Sequence, residues 1–296
     1  MGGGSWNDND YLKVSTTRSS TGKTAFDYSH SVNTGAVAPK VHVTLDPTAM
    51  KGGIRESRDN DEHPDSVPVI VMLDVTGSMQ EVPKLVQAAL PKLMGILTRK
   101  SYLQDPQICF GAIGDANSDR FPFQVGQFES DIRIETDLTN LILEGGGGGN
   151  VTESYDLAFY FAARKTSTDA WEKRKRKGYM FITGDEAPYR TVTKRHIQQI
   201  FGDNIQADIP IEEIVKEAQE KYHIFYIKPA GSSYDDRKDI VDQWKKLLGD
   251  EYYIRLDDPS AICETIGVHI GMLEGTTDLD SATKDLEESG TSKAIV

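Results

Sequence analysis

The chain has 296 residues, with 33 Lys and Arg against 46 Asp and Glu, and its formal net charge is −13. This acidity argues against nucleic acid or an anionic membrane as a partner, and it suits cations or basic protein surfaces. Hydrophobic residues make up 38% of the chain, which is enough for one sizeable core. No basic start precedes an apolar stretch, and no window approaches the roughly 20 apolar residues that span a bilayer. We therefore expect a cytoplasmic protein.

Residues 1–66 are rich in Ser, Thr, Gly, Asp and Asn, and this composition predicts an extended N-terminal arm without a core of its own. One alternating stretch in the arm, KVHVTL (Lys40 to Leu45), is typical of a strand. The arm ends in the charged stretch IRESRDNDEHPD, residues 54–65. We interpret this stretch as a solvated linker, with a strap that binds a partner as the alternative.

From Val67 onward, short apolar runs alternate with segments whose apolar residues recur at helical spacing. The runs VPVIVML, ICFGAIG, YMFITG, HIFYIKPA and EYYIRL predict strands, because they are short and rich in β-branched and aromatic residues. This alternation predicts an α/β domain over residues 67–274, a three-layer sandwich in which helices cover both faces of a mostly parallel central sheet. The stretch FQVGQFES predicts an antiparallel edge strand.

Two further segments follow from composition alone. We interpret the basic run WEKRKRKGY, residues 171–179, as a solvated loop. The alternative is that this run contacts an acidic partner. Residues 275–296 are polar and acidic, which predicts a disordered tail.

Polar side chains follow several of the predicted strands at the point where each strand ends. They occur in LDVTGSM, in EGGGGGNVTES, in FITGDEAP and in AIGDANSD. Because sites in open α/β sheets form at the carboxyl ends of strands, beside the reversal of strand order, we expect these side chains to converge. Carboxylates and hydroxyls without histidine or thiolate form a hard oxygen site, which suits Mg²⁺, Mn²⁺ or Ca²⁺ better than zinc or copper. The residues concerned are Asp74, Thr76, Ser78, Asp115, Asn150, Thr152, Asp185 and Glu186.

The stretch DVTGS is similar to the D-x-[ST]-x-S signature of the von Willebrand factor A domain. The resemblance spans roughly Val67 to Leu273, and it implies a Rossmann-like sheet that carries a metal-ion-dependent adhesion site. Matched residue by residue, the implied metal ligands are Asp74, Thr76 and Ser78 of the first motif, Thr152 as the middle threonine and Asp185 as the late aspartate. From their positions at the strand ends, we expect Asp115, Asn150 and Glu186 to lie around these ligands.

The chain departs from the family pattern at three points. Thr76 replaces the commoner serine but keeps a hydroxyl group, and the late motif reads TGDE where many members have aspartate followed by glycine. The run of five glycines before Asn150 leaves the middle position open, with Asn150 as the alternative to Thr152.

The function that the resemblance implies is a divalent-metal-dependent protein-interaction module and not an enzyme. A bound Mg²⁺, or Mn²⁺ or Ca²⁺, would keep one coordination position open for a carboxylate of the partner. Intracellular A-domain proteins of prokaryotes are similar in role to adaptors for AAA+ ATPases of the MoxR type. The resemblance therefore implies such an ATPase as the partner, with no nucleic acid and no membrane.

Two other functions remain as alternatives. DVTGS also resembles the D-x-[DT]-x-[TV] start of haloacid-dehalogenase-type phosphotransferases, in which Asp74 would be the nucleophile and GDEA would bind magnesium. That reading is disfavoured because QEVPKLVQAAL starts a helix where those enzymes insert a flap, and because Lys228 follows GDEA in the wrong order. An extracellular adhesin is disfavoured by the absence of a signal peptide and of disulfides.

Overall fold

The computed structural model describes residues 2–79, 81–145, 151–234 and 237–288. Strands in these ranges are β1 (Arg55–Ser57), β2 (Val67–Asp74), β3 (Pro106–Ile113), β4 (Phe123–Val125), β5 (Thr152–Glu153), β6 (Thr166–Thr168), β7 (Gly178–Thr183), β8 (Ala187–Pro188), β9 (Thr191–Val192), β10 (Ile209–Pro210), β11 (Tyr222–Pro229) and β12 (Tyr253–Leu256). Helices are α1 (Asp8–Ser20), α2 (Asp27–Asn33), α3 (Val82–Met94), α4 (Arg133–Thr139), α5 (Tyr155–Arg164), α6 (Asp169–Arg174), α7 (Lys194–Phe201), α8 (Ile211–Lys221), α9 (Lys238–Leu248), α10 (Ile262–Glu274) and α11 (Leu279–Glu288). A π-helical turn, Gly95–Arg99, continues α3.

The chain is a mixed α/β protein built on one six-stranded, mostly parallel sheet. The strand order is β12, β11, β7, β2, β3, β4, and only the pairing of β3 with β4 is antiparallel. All five predicted strands lie in this sheet, and the predicted antiparallel edge strand is confirmed as β4. Parallel sheets of this kind need both faces covered, which explains why the five runs are continuously apolar.

The central strand β2 shows how the apolar runs form the core. All eight of its residues are buried, and successive side chains point to opposite faces. Val69 and Val71 belong to a core cluster that includes residues of α3 and α10. Ile70 and Met72 belong to a second cluster that includes residues of α5, α8 and α9.

The strand order creates a crevice beside β2. The chain passes from β2 to β3 on one side of it and later enters β7 on the other side. Register pairs Leu73 of β2 with Thr183 of β7 and Asp74 with Ile113 of β3. The carboxyl ends of β2 and β7 therefore lie side by side at the reversal of strand order, where ligand sites form in open α/β sheets.

The prediction of an extended arm over residues 1–66 is wrong for its first part, because residues 8–20 form helix α1. The side chain of Asn7 accepts a hydrogen bond from the backbone of Asn9, Asp8 and Asp10 lie in the first turn, and Arg18 lies in the last turn. Caps and charges placed in this way offset the unpaired groups and the dipole at the helix ends. A polar sequence therefore forms a helix here without burying any residue.

The strand predicted at Lys40 to Leu45 is also wrong. Residues 43–45 form a turn, Val43 is 71% exposed, and Leu45 is fully buried in the core cluster that contains Val69. The carbonyl oxygen of Leu45 accepts a single hydrogen bond from Val125 at 2.8 Å. The apolar alternation reflects this one anchoring side chain and not a ladder of strand pairing.

The prediction of a solvated linker at residues 54–65 is wrong for residues 55–59, whereas Asp61, Glu62, Pro64 and Asp65 are exposed. The first part of this charged stretch is β1, which pairs in parallel with β6. Beyond it, Arg58 forms ion pairs with Asp169 and Glu172, and Asp59 forms ion pairs with Lys173 and Arg174. The charges therefore hold the arm against this chain.

The basic run at residues 171–179 is the other half of that contact. It was predicted as a solvated loop, but Trp171 to Arg174 belong to α6 and Gly178 and Tyr179 belong to β7. The prediction failed because Asp59, which pairs with both Lys173 and Arg174, lies more than 100 positions earlier in the sequence. We call the pairs of Arg58 and Asp59 with the α6 residues the charged strap.

The prediction of a disordered tail at residues 275–296 is wrong for residues 279–288, which form α11. Ala282 and Leu286 of this helix pack with Ile96, Tyr102 and Val268. Two apolar residues at helical spacing are sufficient for docking although the segment is polar overall. Residues 289–296 lie outside the described residues. Within the described ranges, no helix has the length and apolar character to cross a bilayer.

Candidate metal centre at the carboxyl ends of two strands

The turn after β2 brings one carboxylate and two hydroxyl groups together. Asp74 ends the strand and is fully buried. Its Oδ1 accepts hydrogen bonds from the backbone N–H of Thr76 at 2.9 Å and from Thr76 Oγ1 at 2.5 Å. Ser78 lies in the 3₁₀ turn Gly77–Met79, with its Oγ 3.3 Å from Thr76 Oγ1. The alternate spacing in the motif therefore directs all three side chains to one point.

Asp185 reaches the same point from the loop after β7. Ser78 Oγ donates to Asp185 Oδ1 at 2.8 Å, across 107 positions of sequence. Asp185 is fully buried, and its Oδ2 receives no hydrogen bond from the described residues. A buried carboxylate oxygen without a donor is costly unless a proton or a cation compensates it. Four of the five predicted ligands thus converge: Asp74, Thr76, Ser78 and Asp185.

A buried tyrosine, which the sequence analysis did not predict, contacts the carboxylate of Asp74 and fixes its position. Tyr155 opens α5, and its hydroxyl donates to Asp74 Oδ2. Burial, together with the nearby charge of Asp74, holds the pKa of Tyr155 well above its usual range. A Cβ atom on Gly184 would lie 2.1 Å from the Tyr155 hydroxyl oxygen. The glycine of TGDE therefore precedes the aspartate because Tyr155 occupies the space that a side chain would need.

The centre is surrounded by more acid than the motifs predict. Burial raises the pKa of Asp74 to about 6, and the charge of Asp185 acts in the same direction. Glu153 was not among the predicted residues, but its carboxyl group faces that of Glu186 and both are buried. Burial raises the pKa of Glu153 and Glu186, and the charge of Asp74 raises both further. The region therefore holds more carboxyl groups than can ionise together, and a cation would favour their ionised form.

The remaining predicted residues take different places. Thr152 begins β5 instead of opening a helix, and it pairs with Ala187 of β8, two positions after Asp185. Asp115 is fully buried, but its carboxylate accepts hydrogen bonds from Asn117, Ser118 and Tyr189. Its charge acts on the pKa of both Glu153 and Glu186. Asn150 lies outside the described residues.

The donor set at this edge fits a hard divalent cation. Carboxylate and hydroxyl oxygens are the ligands that Mg²⁺ and Ca²⁺ prefer, and Asp185 Oδ2 is buried and free of donors. In the described part of the chain, no group of three or more His, Cys, Asp or Glu side chains has the arrangement to hold a metal ion. The predicted centre includes only two carboxylates, Asp74 and Asp185, and its other oxygens belong to hydroxyl groups.

Comparisons with known proteins give no family assignment. No family model matches the chain, and no curated protein matches it. Among solved structures, the pilus adhesin SpaC from Lactobacillus rhamnosus GG in its open conformation has a TM-score of 0.49 and 10% identity, over 73% of this chain and 31% of that chain. Proximal thread matrix protein 1 from the mussel byssus has a TM-score of 0.44 and 9% identity, over 70% of this chain and 46% of that chain. The chain thus spans less than half the length of these proteins, and likenesses at this level carry no argument about function.

Proposed function

We propose that the chain is a protein-interaction module of the von Willebrand factor A type that binds its partner through a divalent cation. A Rossmann-like three-layer arrangement belongs to the same proposal. The observation that supports it best is the hydrogen bond of Ser78 to Asp185, which joins the two motifs that the family resemblance implies. Asp185 Oδ2 beside it is buried without a donor.

The side chains of the centre have two different roles in binding the ion. In this proposal Asp185 and the hydroxyl groups of Thr76 and Ser78 hold the cation, and the family resemblance adds Thr152 of β5, which pairs with Ala187 two positions after Asp185. Asp74 supplies negative charge and fixes Thr76, because one of its oxygens accepts from Thr76 and the other from Tyr155. The bound ion, Mg²⁺ or else Mn²⁺ or Ca²⁺, would supply a positive charge that accepts a carboxylate oxygen.

The surrounding acids make the interaction depend on the ion. In addition to burial, the charges of Asp74 and Asp115 raise the pKa of Glu153 and Glu186, so a partner carboxylate that approached without the cation would meet the same repulsion. The partner in this proposal is a protein, and the family resemblance suggests an AAA+ ATPase of the MoxR type in the cytoplasm. The net charge of −13 disfavours nucleic acid and anionic membranes as partners.

We propose no catalytic role for Asp74. A phosphotransferase would need one of its oxygens free to attack a phosphorus atom, but Asp74 is fully buried and both oxygens accept hydrogen bonds. This arrangement favours a carboxylate that organises its neighbours over a nucleophile.

Calorimetric titration of Mg²⁺, Mn²⁺ and Ca²⁺ into the chelator-treated protein tests the proposal. Ser78→Ala removes one hydroxyl ligand at a half-buried position, and we expect the affinity for the preferred ion to fall at least about tenfold, or roughly 1.4 kcal/mol. Ser118→Ala is the matched control, because Ser118 bonds to Asp115 after the neighbouring strand. We expect its metal affinity to equal that of the wild type.

Two results would contradict the proposal. One is equal metal affinity in the wild type and Ser78→Ala. The other is hydrolysis of a phosphomonoester that is lost in Asp74→Asn, since this would make Asp74 a nucleophile. If Ser78→Ala binds the metal more weakly than the wild type and Ser118→Ala do, the interaction itself is tested by capture of a partner protein with and without chelator.

A further inference from the structure

A second concave site lies at the opposite edge of the sheet. It is an open cavity of about 610 Å³, a size typical of small-molecule sites. Pro106, the first residue of β3, lies in its wall, whereas the candidate metal centre begins at Asp74, opposite the last residue of β3. Seven residue steps along the strands separate the two ends, or about 23 Å. The cavity is therefore distinct from the metal centre.

The N-terminal arm forms one wall of this cavity. Trp6 and His63 line it, and His63 Nε2 donates to the carbonyl oxygen of Gly4 at 2.7 Å. Trp6 Nε1 donates to Asp8 Oδ1 at 2.8 Å, which fixes the indole ring. The facing wall contains Tyr102 from the loop after α3. Two aromatic side chains from segments far apart in sequence thus line one space.

The backbone around the cavity has an unusual conformation. Positive φ angles occur at Ser101, 56°, and at Asp105, 48°. Both residues line the cavity and lie in the short connection that joins the end of α3 to β3. Left-handed conformations at residues other than glycine cost about 1 kcal/mol or more each, and they concentrate at functional sites. The connection is held in the shape that forms the wall.

The electrostatics of the cavity favour a cation. Asp105 lines it with a side chain that is 16% exposed. Its Oδ1 lies 3.4 Å from Nδ1 of His63, and its Oδ2 accepts from the backbone N–H of Asp65 at 3.2 Å, so both contacts are long and leave the carboxylate able to accept a further donor. The C-terminal ends of two helices meet there, since Thr98 follows α3 and Glu274 is the last residue of α10. Each helix end carries roughly half a negative charge. Arg176, which also lines the wall, forms an ion pair with Glu274 at 2.6 Å.

We infer that this cavity binds a small organic cation with an apolar or aromatic body, which places its ammonium group near Asp105 and its body against Trp6 and Tyr102. Aromatic faces attract cations, and the apolar lining of Met94 and Leu103 accepts the rest of the ligand. Because Trp6 belongs to the arm, the bound ligand would join the arm to the sheet.

The experiment compares two probes of the same shape and opposite charge. Phenethylamine and 3-phenylpropionate are titrated into the full chain by calorimetry in the presence of chelator, at concentrations up to roughly 10 mM. We expect phenethylamine to bind at least tenfold more tightly. Equal or tighter binding of the acid, or no binding of the amine, overturns the inference.

Variants place the bound amine in the cavity. Asp105→Asn keeps the preference for a left-handed backbone while it removes the charge, and its matched control is Asp250→Asn, at a side chain that is 82% exposed. Trp6→Ala is paired with Trp171→Ala outside the cavity. We expect the two cavity variants to bind the amine about tenfold more weakly than the wild type, and the two controls to bind it as the wild type does. Unchanged binding in both folded cavity variants overturns the inference, as does a loss in Ser78→Ala, which would place the amine at the metal centre.

Discussion

Asp59 at the amino edge of the sheet accepts hydrogen bonds from Arg174 and Lys173, whereas Asp74 at the carboxyl edge accepts from the neutral groups of Thr76 and Tyr155. Both aspartates lie beside β2, one before it and one at its end. The basic neighbours hold the pKa of Asp59 below its usual range even though its partial burial acts in the opposite direction, and burial raises the pKa of Asp74. Asp59 thus forms ion pairs that hold the arm against α6, whereas Asp74 is buried without a basic partner among the described residues.

This difference gives the two edges opposite responses to pH. A carboxyl group whose pKa is raised on folding stabilises the fold below its unfolded pKa, and this stability is lost as the pH rises through the folded pKa. Asp74 is such a group, so its contribution declines from about pH 4 to above pH 6. A carboxyl group whose pKa is lowered contributes above its unfolded pKa, and the contribution of Asp59 is lost as the pH falls below about 4.

The largest expected effect is therefore the pH dependence of the metal-free protein. The pKa of Asp74 rises from 3.8 to about 6, which corresponds to roughly 3 kcal/mol of unfolding free energy lost between pH 4 and pH 7. Denaturant unfolding in chelator across this range measures the loss, and Mg²⁺ at pH 7 should restore stability. Asp74→Asn removes the titrating group, so the slope should flatten. Parallel slopes for wild type and variant would show that Asp74 titrates normally.

A smaller effect is expected when the support of the metal centre is disturbed without a change of charge. Gly184→Ala places a methyl group 2.1 Å from the Tyr155 hydroxyl oxygen, so the ring must leave Asp74. We expect about 2 kcal/mol of lost stability and weaker metal binding. Gly3→Ala is the control, because its added carbon meets Glu62 at an ordinary 3.7 Å. If Gly184→Ala binds metal as the wild type does, Tyr155 does not support the centre.

The smallest expected effect is at the charged strap. Asp59→Asn removes the acceptor of Arg174 and Lys173, whose side chains are 26% and 58% exposed. Partly solvated ion pairs are weak, so we expect a loss of about 1 kcal/mol that shrinks at high salt. Thermal unfolding at low and high salt measures it, with Asp242→Asn as a control at an exposed pair within one helix. A loss that is independent of salt would mean that shape, and not charge, holds the strap.

The sequence predicted the sheet well because its strands are local signals. Each apolar run of β2, β3, β7, β11 and β12 is readable without knowledge of its neighbours, and burial on both faces makes such runs continuous. The arm and tail were harder to predict, because α1 depends on capping by Asn7 and α11 on two residues, Ala282 and Leu286. The average composition of a segment does not show single capping residues or isolated apolar residues of this kind.

At the candidate site, the motifs located Asp74, Thr76, Ser78 and Asp185, which converge. The motifs did not indicate Tyr155 or Glu153. The role of Tyr155 depends on the packing of α5 against the end of β2, and that of Glu153 on the pairing of β5 with β8, which brings it to Glu186. The departure at TGDE carried a usable signal, since a glycine placed before the aspartate indicates that another group fills that space. The partners of the charged strap were visible as two runs of charge, but their sequence separation concealed the pairing.

The position of β7 between β2 and β11 has a consequence for synthesis on the ribosome. β2, β3 and β4 emerge early and pair with one another, but the other edge of β2 stays without its neighbour until Gly178–Thr183 has been made. At bacterial or eukaryotic rates of elongation, the intervening stretch of about 100 residues takes roughly 5 to 20 s. For that time β2, whose residues before Asp74 are all apolar, presents an open edge, so the nascent chain needs a chaperone or fast completion to avoid pairing with another copy of itself.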